Sequence, residues 1–315
     1  MKYAARRVVA GLTTMLLVSL LAFVAFDLIS GDPAEIMLGT QATPESLAAL
    51  RAQLGLDRPL PVRYLDWLGG FFRGELGISY QYKQPVWELI VPKVGVTLCL
   101  SLLSFLLVLA VSLPLGLLTA GRTGRGEGLR TALNQLCMAA PPFFTGILLS
   151  WGFGVALKWF AVGSFPDMGQ NMWGALRYLF FAALALAIPR AAMTVRMLRS
   201  TVAEELGKDY VRTAAARGNS RTQLLRRHVL KNALPPVVAF LAQTVAELAA
   251  GAVVVEQVFA IPGLGRLLVA SISNRDHPVV LAIVVILAFW VVLSGVIADL
   301  IQQRIDPRLR LGGGE

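Results

Sequence analysis

The sequence predicts an all-α membrane protein with six transmembrane helices. Of its 315 residues, 56% are hydrophobic and only 15% are charged, and the mean hydropathy is +0.65. Six apolar segments are also long enough to span a bilayer, since a helix needs roughly 20 residues to cross about 30 Å of hydrocarbon. Long apolar segments form helices in lipid because a helix satisfies its own backbone hydrogen bonds.

The six predicted spans differ in the strength of their signal. The third contains the pair Pro141-Pro142, which should bend or break it. The fourth carries Arg177, Arg190 and Arg196 and gives the weakest signal. In chain order, the spans are approximately Val8–Ile29, Val94–Ala120, Thr131–Leu157, Trp173–Met197, Asn232–Val255 and Pro278–Ile301.

The first span is interpreted as a retained membrane anchor. Its apolar run exceeds the roughly 7–15 residues of a secretory signal, and no A-x-A cleavage site closes it. Basic residues precede it, as they precede many membrane helices whose N-terminus stays in the cytoplasm. They are Lys2, Arg6 and Arg7.

Loop charge predicts that both termini are cytoplasmic, because short cytoplasmic connections retain Lys and Arg. The connection between spans two and three holds Arg122, Arg125 and Arg130 against Glu127. Residues 196–231 hold nine basic residues against three acidic ones, whereas residues 29–93 hold six against seven. The net charge of +10 is therefore mostly a positive-inside bias, which argues against a nucleic-acid partner.

This topology divides the chain into four regions. Residues 1–29 form a cytoplasmic tip and the first span, and residues 30–93 form an external segment. Residues 94–303 form the transmembrane core, with a cytoplasmic loop at 199–231. Residues 304–315 form a cytoplasmic tail.

Two short helices are predicted in the external segment. The first has Thr43 as its N-cap and ends at Gly55. The second is amphipathic and carries an apolar face at the membrane surface. That face consists of Pro61, Val62, Leu65, Leu68 and Phe72. Two roles remain open for these helices: a cover over the bundle, or a contact for an external partner.

A helix-turn-helix elbow is predicted in the loop between spans four and five. Lys208–Arg217 has the composition of a short helix with a small-residue face, and Gly218 stands where a left-handed cap belongs. Ser220 to Gln223 has the S-x-x-Q form of a capping box, which starts a helix leading into the fifth span. Such a stiff element suits coupling to another protein. The alternative is a basic loop held at anionic lipid headgroups.

These residues carry a family resemblance. Residues 209–218 (DYVRTAAARG) and 228–236 (HVLKNALPP) resemble the EAA loop of ABC importer permeases in its peptide/nickel version. The broader pattern begins Glu-Ala-Ala, and Arg212, Thr213 and Ala214 occupy those places, so any contact known for that glutamate is in doubt. Six further matches are similar to the same family: GDPA at 31–34, LGLDRPL at 54–60, LGIS at 76–79, VEQVFAIPGLG at 255–265, NRDHPV at 274–279 and DPRLR at 306–310.

The resemblance implies a type I ABC importer permease fold in a bacterial inner membrane, with 94–303 as the ABC-type core. It implies a homologous second permease subunit, two ABC ATPase subunits docked on the elbow, and an external solute-binding protein. The sequence lacks the form G-x-x-x-x-G-K-[ST], so partner subunits are expected to bind ATP and Mg. This chain is then a transport subunit without its own cofactor. The predicted ATPase-coupling residues are Asp209, Tyr210, Val211, Arg212, Thr213, Ala214, Ala215, Ala216, Arg217 and Gly218.

A translocation pathway is predicted along one side of the fifth span. Glu247 lies in mid-span, where a carboxylate is costly unless it faces water or has a partner. One interpretation places it on the pathway beside Gln243 and Gly251, where it would favour a cationic cargo. The alternative pairs it with an arginine such as Arg190, or keeps it protonated between helices.

No metal site is predicted, because His228 and His277 fall on opposite sides of the membrane and both cysteines lie in apolar runs. Cargo stays open among peptides, nickel and metal-chelator complexes. A membrane-embedded hydrolase is disfavoured because Asp27 and Asp299 lie at opposite span ends. A secondary carrier or channel working without ATP would show inverted repeats, and none is found.

Overall fold

The computed structural model describes residues 2–29, 32–39, 42–120, 124 and 126–305. Predictions that fall on Gly31, Arg122, Arg125 and residues 306–315 lie outside the described residues, as does the side chain of Lys2. The helices are α1 (Lys2–Ile29), α2 (Pro33–Leu38), α3 (Pro44–Leu54), α4 (Leu60–Arg73), α5 (Val86–Thr119), α6 (Glu127–Ala139), α7 (Pro142–Leu149), α8 (Met172–Leu206), α9 (Asp209–Ala216), α10 (Arg221–Gln223), α11 (Leu230–Val258), α12 (Leu264–Ser273) and α13 (His277–Ile305). Two π-helical stretches, Ser150–Ala156 and Leu224–Val229, extend α7 and join α10 to α11.

The structure confirms the predicted spans by length and composition. Within the described residues, five helices are long and apolar enough to cross a membrane, and the bent pair α6 and α7 makes a sixth span if it is counted as one. The pair bends by 99° at the predicted prolines, where Pro141 has an extended backbone and Pro142 begins α7. Proline cannot donate the backbone hydrogen bond that would continue α6.

Two features of the helices differ from the sequence prediction. α5 begins at Val86, eight residues before the predicted span, so it reaches well beyond the length that crosses hydrocarbon. The short apolar helix α12 lies between the fifth and sixth spans and was not predicted. Its ten residues are too few for a span, and a search for spans therefore misses it.

Both helices predicted in the segment before the second span form, and a third, α2, precedes them and was not predicted. Thr43 caps α3, its hydroxyl accepting a hydrogen bond from the Ser46 amide at 3.2 Å, and Gly55 ends α3 with φ of 65°. α4 packs on α1 through Tyr64, whose hydroxyl lies 2.8 Å from that of Ser19, and through an ion pair of Arg63 with Asp27 at 2.7 Å. The predicted apolar face of α4 stays largely exposed, including Leu65 and Phe72, which suits a helix lying against lipid.

Two buried clusters show which connections share an end of the bundle. In one cluster, the first half of α5 and the start of α8 meet the end of α11, through side chains such as Leu100, Leu179 and Val255. In the other, the second half of α5 and the end of α8 meet the start of α11. α5 and α8 therefore run in one direction and α11 runs in the other. We call the end that contains α9 the elbow end, and the other the distal end.

The N-terminus of α1 also lies at the elbow end. Arg7 forms an ion pair with Asp299, near the end of α13, at 3.2 Å. The start of α13 instead packs at the distal end, where Ile283 joins Ile90 of α5 and Leu264 of α12. The predicted parity of the connections is thus confirmed, and the cytoplasmic assignment of the elbow end stays a prediction from loop charge.

Candidate functional site

The elbow has the predicted turn. After α9, Gly218 takes a left-handed conformation with φ of 83°, which suits a residue without Cβ. Ser220 and Gln223 then form the expected capping box: the Ser220 amide donates to Gln223 Oε1 at 2.9 Å and the Gln223 amide donates to Ser220 Oγ at 3.4 Å. The Asn219 side-chain amide also donates to the Ala214 carbonyl at 2.9 Å, closing the turn.

The elbow continues into the fifth span without a break. α10, the π-helical stretch and α11 form one helical run from Arg221 to Val258, 38 residues long. A displacement of α10 would therefore be carried directly into the membrane-length helix. The π-helical stretch adds one residue per turn at this junction, a local irregularity that often occurs at functional sites.

α9 divides its small residues between two faces. Val211 and Ala214 are buried, and Val211 belongs to the elbow-end cluster with Val202 and Val229. The opposite face is exposed to solvent and unoccupied in the single chain. It consists of Arg212, Thr213, Ala215, Ala216 and Arg217.

A polar cluster that was not predicted anchors α9 to both neighbouring helices. The Tyr210 hydroxyl donates to Glu205 Oε2 of α8 at 2.6 Å, and the Asn232 side chain of α11 donates to the Tyr210 oxygen at 3.1 Å. The Lys208 ammonium also contacts the Glu205 carboxylate, which raises the pKa of Lys208. Burial, followed by the hydrogen bond to Glu205, raises the pKa of Tyr210. Tyr210 was predicted as part of the elbow, whereas Glu205 was predicted to contribute only a charge.

The structure brings two of the three predicted pathway residues together. The Gln243 side-chain amide donates to Glu247 Oε1 at 3.3 Å. Glu247 also forms an ion pair with Arg190 of α8, the pairing that the alternative interpretation named. Its side chain nevertheless remains 35% exposed. Gly251 is different: a side chain there would press on Leu186 of α8 at 3.1 Å, so this glycine serves close helix packing.

An exposed strip runs along α11 at helical spacing. Gln243, Ala250, Val254 and Gln257 are exposed, and the partly exposed Glu247 lies between them. Spacings of three and four residues place these side chains on one face of the helix. This face has polar groups on a membrane-length helix and is left open by the rest of the chain.

At the distal end, the fully buried Glu256 holds three segments together. Thr97 of α5 donates to Glu256 Oε1 at 2.6 Å, and the Arg266 amide in the first turn of α12 donates to Oε2 at 3.0 Å. The Leu264 amide donates in turn to Thr97 Oγ1 at 2.8 Å. Gly263 has no room for a side chain, since a Cβ would overlap the Glu256 carboxylate. The motif at 255–265 therefore folds tightly around the carboxylate of its own Glu256.

A second buried carboxylate, Asp276, joins two of the motifs noted in the sequence. The Ser79 hydroxyl donates to Asp276, and the Tyr80 amide donates to its Oδ1 at 3.0 Å. Segments 76–79 and 274–279, almost 200 residues apart in the chain, thus meet at one site. Burial raises the pKa of the adjacent Tyr80 hydroxyl to about 12.

The other chemical groups considered in the sequence lie apart. His228 is in the elbow, whereas His277 begins α13 at the distal end. Among the described residues, no three His, Cys, Asp or Glu side chains are grouped to hold a metal ion. Asp27 and Asp299 are each paired with an arginine, at opposite ends of the bundle.

The fold and these sites define a multi-pass membrane protein with a protruding elbow and a partly polar, open helix face. A family model described as "Binding-protein-dependent transport system inner membrane component" matches residues 112–311, and the model of the N-terminal part of such components matches residues 1–101. The chain belongs to this family and is a permease subunit of an ABC importer. Membership implies ATPase and substrate-binding partners.

Individual relatives agree over the whole chain. It is 35% identical to the oligopeptide transport system permease protein AppB of Bacillus subtilis, over 98% of both chains. It is 34% identical to a probable peptide ABC transporter permease protein, y4tP, of Sinorhizobium fredii, over 98% of this chain and 99% of that one. The inward-facing MetNI methionine ABC transporter superposes with a TM-score of 0.56 at 20% identity, covering 69% of this chain and 96% of that one, which confirms the type I importer fold.

Proposed function

We propose that this chain forms one side of the inward pathway for peptides across a bacterial inner membrane, and that partner ATPases drive it through the elbow. The two curated relatives are named for peptide or oligopeptide transport, which favours peptides over nickel-type complexes as cargo. A homologous second permease would complete the pathway, and an external solute-binding protein would deliver the cargo. ATP and Mg would bind to the ATPase subunits.

The observation that carries the proposal is the continuity from α10 to α11. The inner face of α9 packs in the elbow-end cluster, and Tyr210 connects α9 to α8 and α11. The outer face offers Ala215 and Ala216, whose small side chains let another protein approach closely. Closure of two docked ATPases would therefore displace the elbow as a unit and with it the helix that bears Glu247. Rigid-body motion of this kind opens a pathway alternately to each side.

The exposed strip of α11 supports the position of the pathway. An open face with Gln243, Glu247 and Gln257 is unfavourable against hydrocarbon but suits a water-filled route between two permeases. Arg190 offsets the negative charge of Glu247. The pathway would therefore not select strongly for cationic cargo. The bilayer would cover the remaining apolar surface of the bundle.

Crosslinking in the assembled complex tests docking at the elbow. Single cysteines replace Ala215 or Ala216 in a background that lacks Cys99 and Cys137, and Ala161→Cys, at an exposed position of the distal end, is the matched control. We expect a bifunctional crosslinker to capture a nucleotide-hydrolysing subunit from positions 215 and 216 but not from 161. Capture from 161 alone, or from none of the three, would refute the proposal.

A further inference from the structure

A cavity of about 530 Å³ opens at the distal end. It lies between the first turns of α5, the connection 157–171 and the segment that precedes α12, and its walls include Lys93, Phe165, Asp167 and Met168. Its volume falls within the range of about 300–1,000 Å³ that is typical of small-molecule sites. Neither the elbow nor the open strip of α11 includes this cavity.

Lys93 places an unneutralised positive charge on this cavity. Its side chain is half-buried, and within the described part of the chain its ammonium has no hydrogen bond or ion pair. Arg266 is close enough to repel it and Glu256 to attract it. However, the Glu256 carboxylate already accepts hydrogen bonds from Thr97 and the Arg266 amide. A half-buried ammonium without an ionic partner makes the cavity favourable for an anion.

Asp167 places the opposite charge on the same cavity. One of its carboxylate oxygens accepts a hydrogen bond from the Gly169 amide at 2.7 Å. No cation of the described residues pairs with it, Lys93 included. Phe165 and Met168 supply apolar surface on the same wall. The cavity thus presents a half-buried cation and an exposed anion that form no ion pair with each other, with apolar surface beside them.

We propose that this cavity binds a small zwitterion, a short peptide with free termini, whose carboxylate lies at Lys93 and whose ammonium lies at Asp167. The apolar side chains of the peptide would contact Phe165 and Met168. This inference rests on the proposed function, since it makes the cavity a station for cargo at the mouth of the pathway. It assigns to the permease itself a preference for free peptide termini.

Glycine at position 95 gives a way to close the cavity without changing its charges. Gly95 lines the cavity, and a Cβ atom there would meet no atom within 4 Å. Gly95→Leu therefore fills open space and improves helix propensity in α5. Gly128→Leu, at an equally open position in α6, is the matched control.

Equilibrium binding to the full chain in nanodiscs, purified with whatever subunits remain attached and without the external binding protein, tests the proposal. The probes are radiolabelled alanyl-phenylalanine, its C-terminal amide and its N-acetyl derivative. We expect each blocked probe to bind about tenfold more weakly than the free dipeptide, as for the loss of one charge-assisted hydrogen bond. Lys93→Met should abolish only the preference over the amide, and Asp167→Asn only the preference over the N-acetyl probe. Gly95→Leu should lower binding of all three probes.

The controls separate specific from general effects. Lys158→Met removes an exposed lysine outside the cavity and should change nothing, and Lys93→Arg should keep the preference for the free carboxylate. Equal binding of the three probes by the unaltered chain, or no binding, would overturn the proposal. So would an effect of Lys93→Met that depends on phosphatidylglycerol in the nanodisc and not on the probe, because the anion would then be a lipid headgroup. Elbow crosslinking, measured separately, shows whether the proposed function stands when this inference fails.

Discussion

The two ends of the bundle use polar groups in opposite ways. At the distal end, Glu256 and Asp276 are fully buried and join segments that lie far apart in the chain. At the elbow end, the polar cluster around Tyr210 contains the buried Glu205, but Tyr210 and Asn232 themselves are exposed and the outer face of α9 is open. Buried carboxylates with several donors fix a structure rigidly. The difference indicates a distal end that holds its shape and an elbow end that is shaped for contact and displacement.

The largest expected effect is at the distal end. Glu256→Ala would leave the hydroxyl of Thr97 and the Arg266 amide of α12 without their acceptor. Leaving buried polar groups unsatisfied should lower the free energy of unfolding by about 3 kcal/mol, measured by SDS titration in mixed micelles. Glu75→Ala is the control, because its carboxylate is 72% exposed, and it should change stability by less than about 0.5 kcal/mol. Equal losses in the two variants would contradict a fixed distal end.

A smaller and more local effect is expected at Asp276. Asp276→Ala removes the acceptor that holds Ser79 and the Tyr80 amide, at a cost of about 2 kcal/mol. The exposed Lys83 in this turn should then be cleaved by trypsin faster than in the unaltered chain. Crosslinking at Ala216 should stay the same, since the elbow lies at the other end. If cleavage is no faster than in the control Glu88→Ala, Asp276 does not hold this segment.

At the elbow, the expected cost in stability is lower and the functional cost is higher. Tyr210→Phe removes the hydroxyl that bridges Glu205 and Asn232, which should cost about 1 kcal/mol. The stimulation of ATP hydrolysis by cargo in the reconstituted complex should fall more than stability does. Tyr82→Phe, at a tyrosine of the distal end that is 45% exposed, should affect neither quantity. If cargo stimulates ATP hydrolysis normally in Tyr210→Phe, the polar cluster around Tyr210 is not needed for coupling.

The smallest stability effect is expected for Arg212→Ala. The Arg212 guanidinium lies 3.4 Å from the Asp209 carboxylate, and these side chains are 76% and 95% exposed. Such surface pairs contribute at most about 0.5 kcal/mol. Because Arg212 lies on the open face of α9, the variant should nevertheless weaken retention of the ATPase during purification. A loss of stability without a loss of ATPase retention would contradict the proposed difference between a fixed distal end and an elbow end shaped for contact.

Local features were predictable from the sequence. The caps at Thr43 and Ser220, the turn at Gly218 and the break at Pro141-Pro142 each depend on residues within one helical turn. Their signals are therefore complete in a short stretch of sequence. The shape of the elbow could be predicted for this reason, and the coupling role of its residues stays a proposal.

Long-range pairings were not predictable in the same way. Glu256 and Thr97 are 159 residues apart, and Asp276 and Ser79 are 197 apart, so no local spacing indicates that they meet. The motifs that contain Glu256, Ser79 and Asp276 were recognised, but the contacts that these residues make were not. The close contact of Gly251 could not be predicted for the same reason, since it is with Leu186 of another helix. Helix periodicity shows which side chains share a face and leaves open what the face contacts.

Distances between spin labels in the reconstituted complex test most directly whether the elbow and α11 move as one body. Labels at Ala216→Cys and Ala250→Cys report on the elbow and the open strip, and a label at Ala161→Cys marks the distal end. ATP binding should change the distances from position 161 to positions 216 and 250 together, while the distance between 216 and 250 stays constant. Movement of position 216 without movement of position 250 would contradict the account.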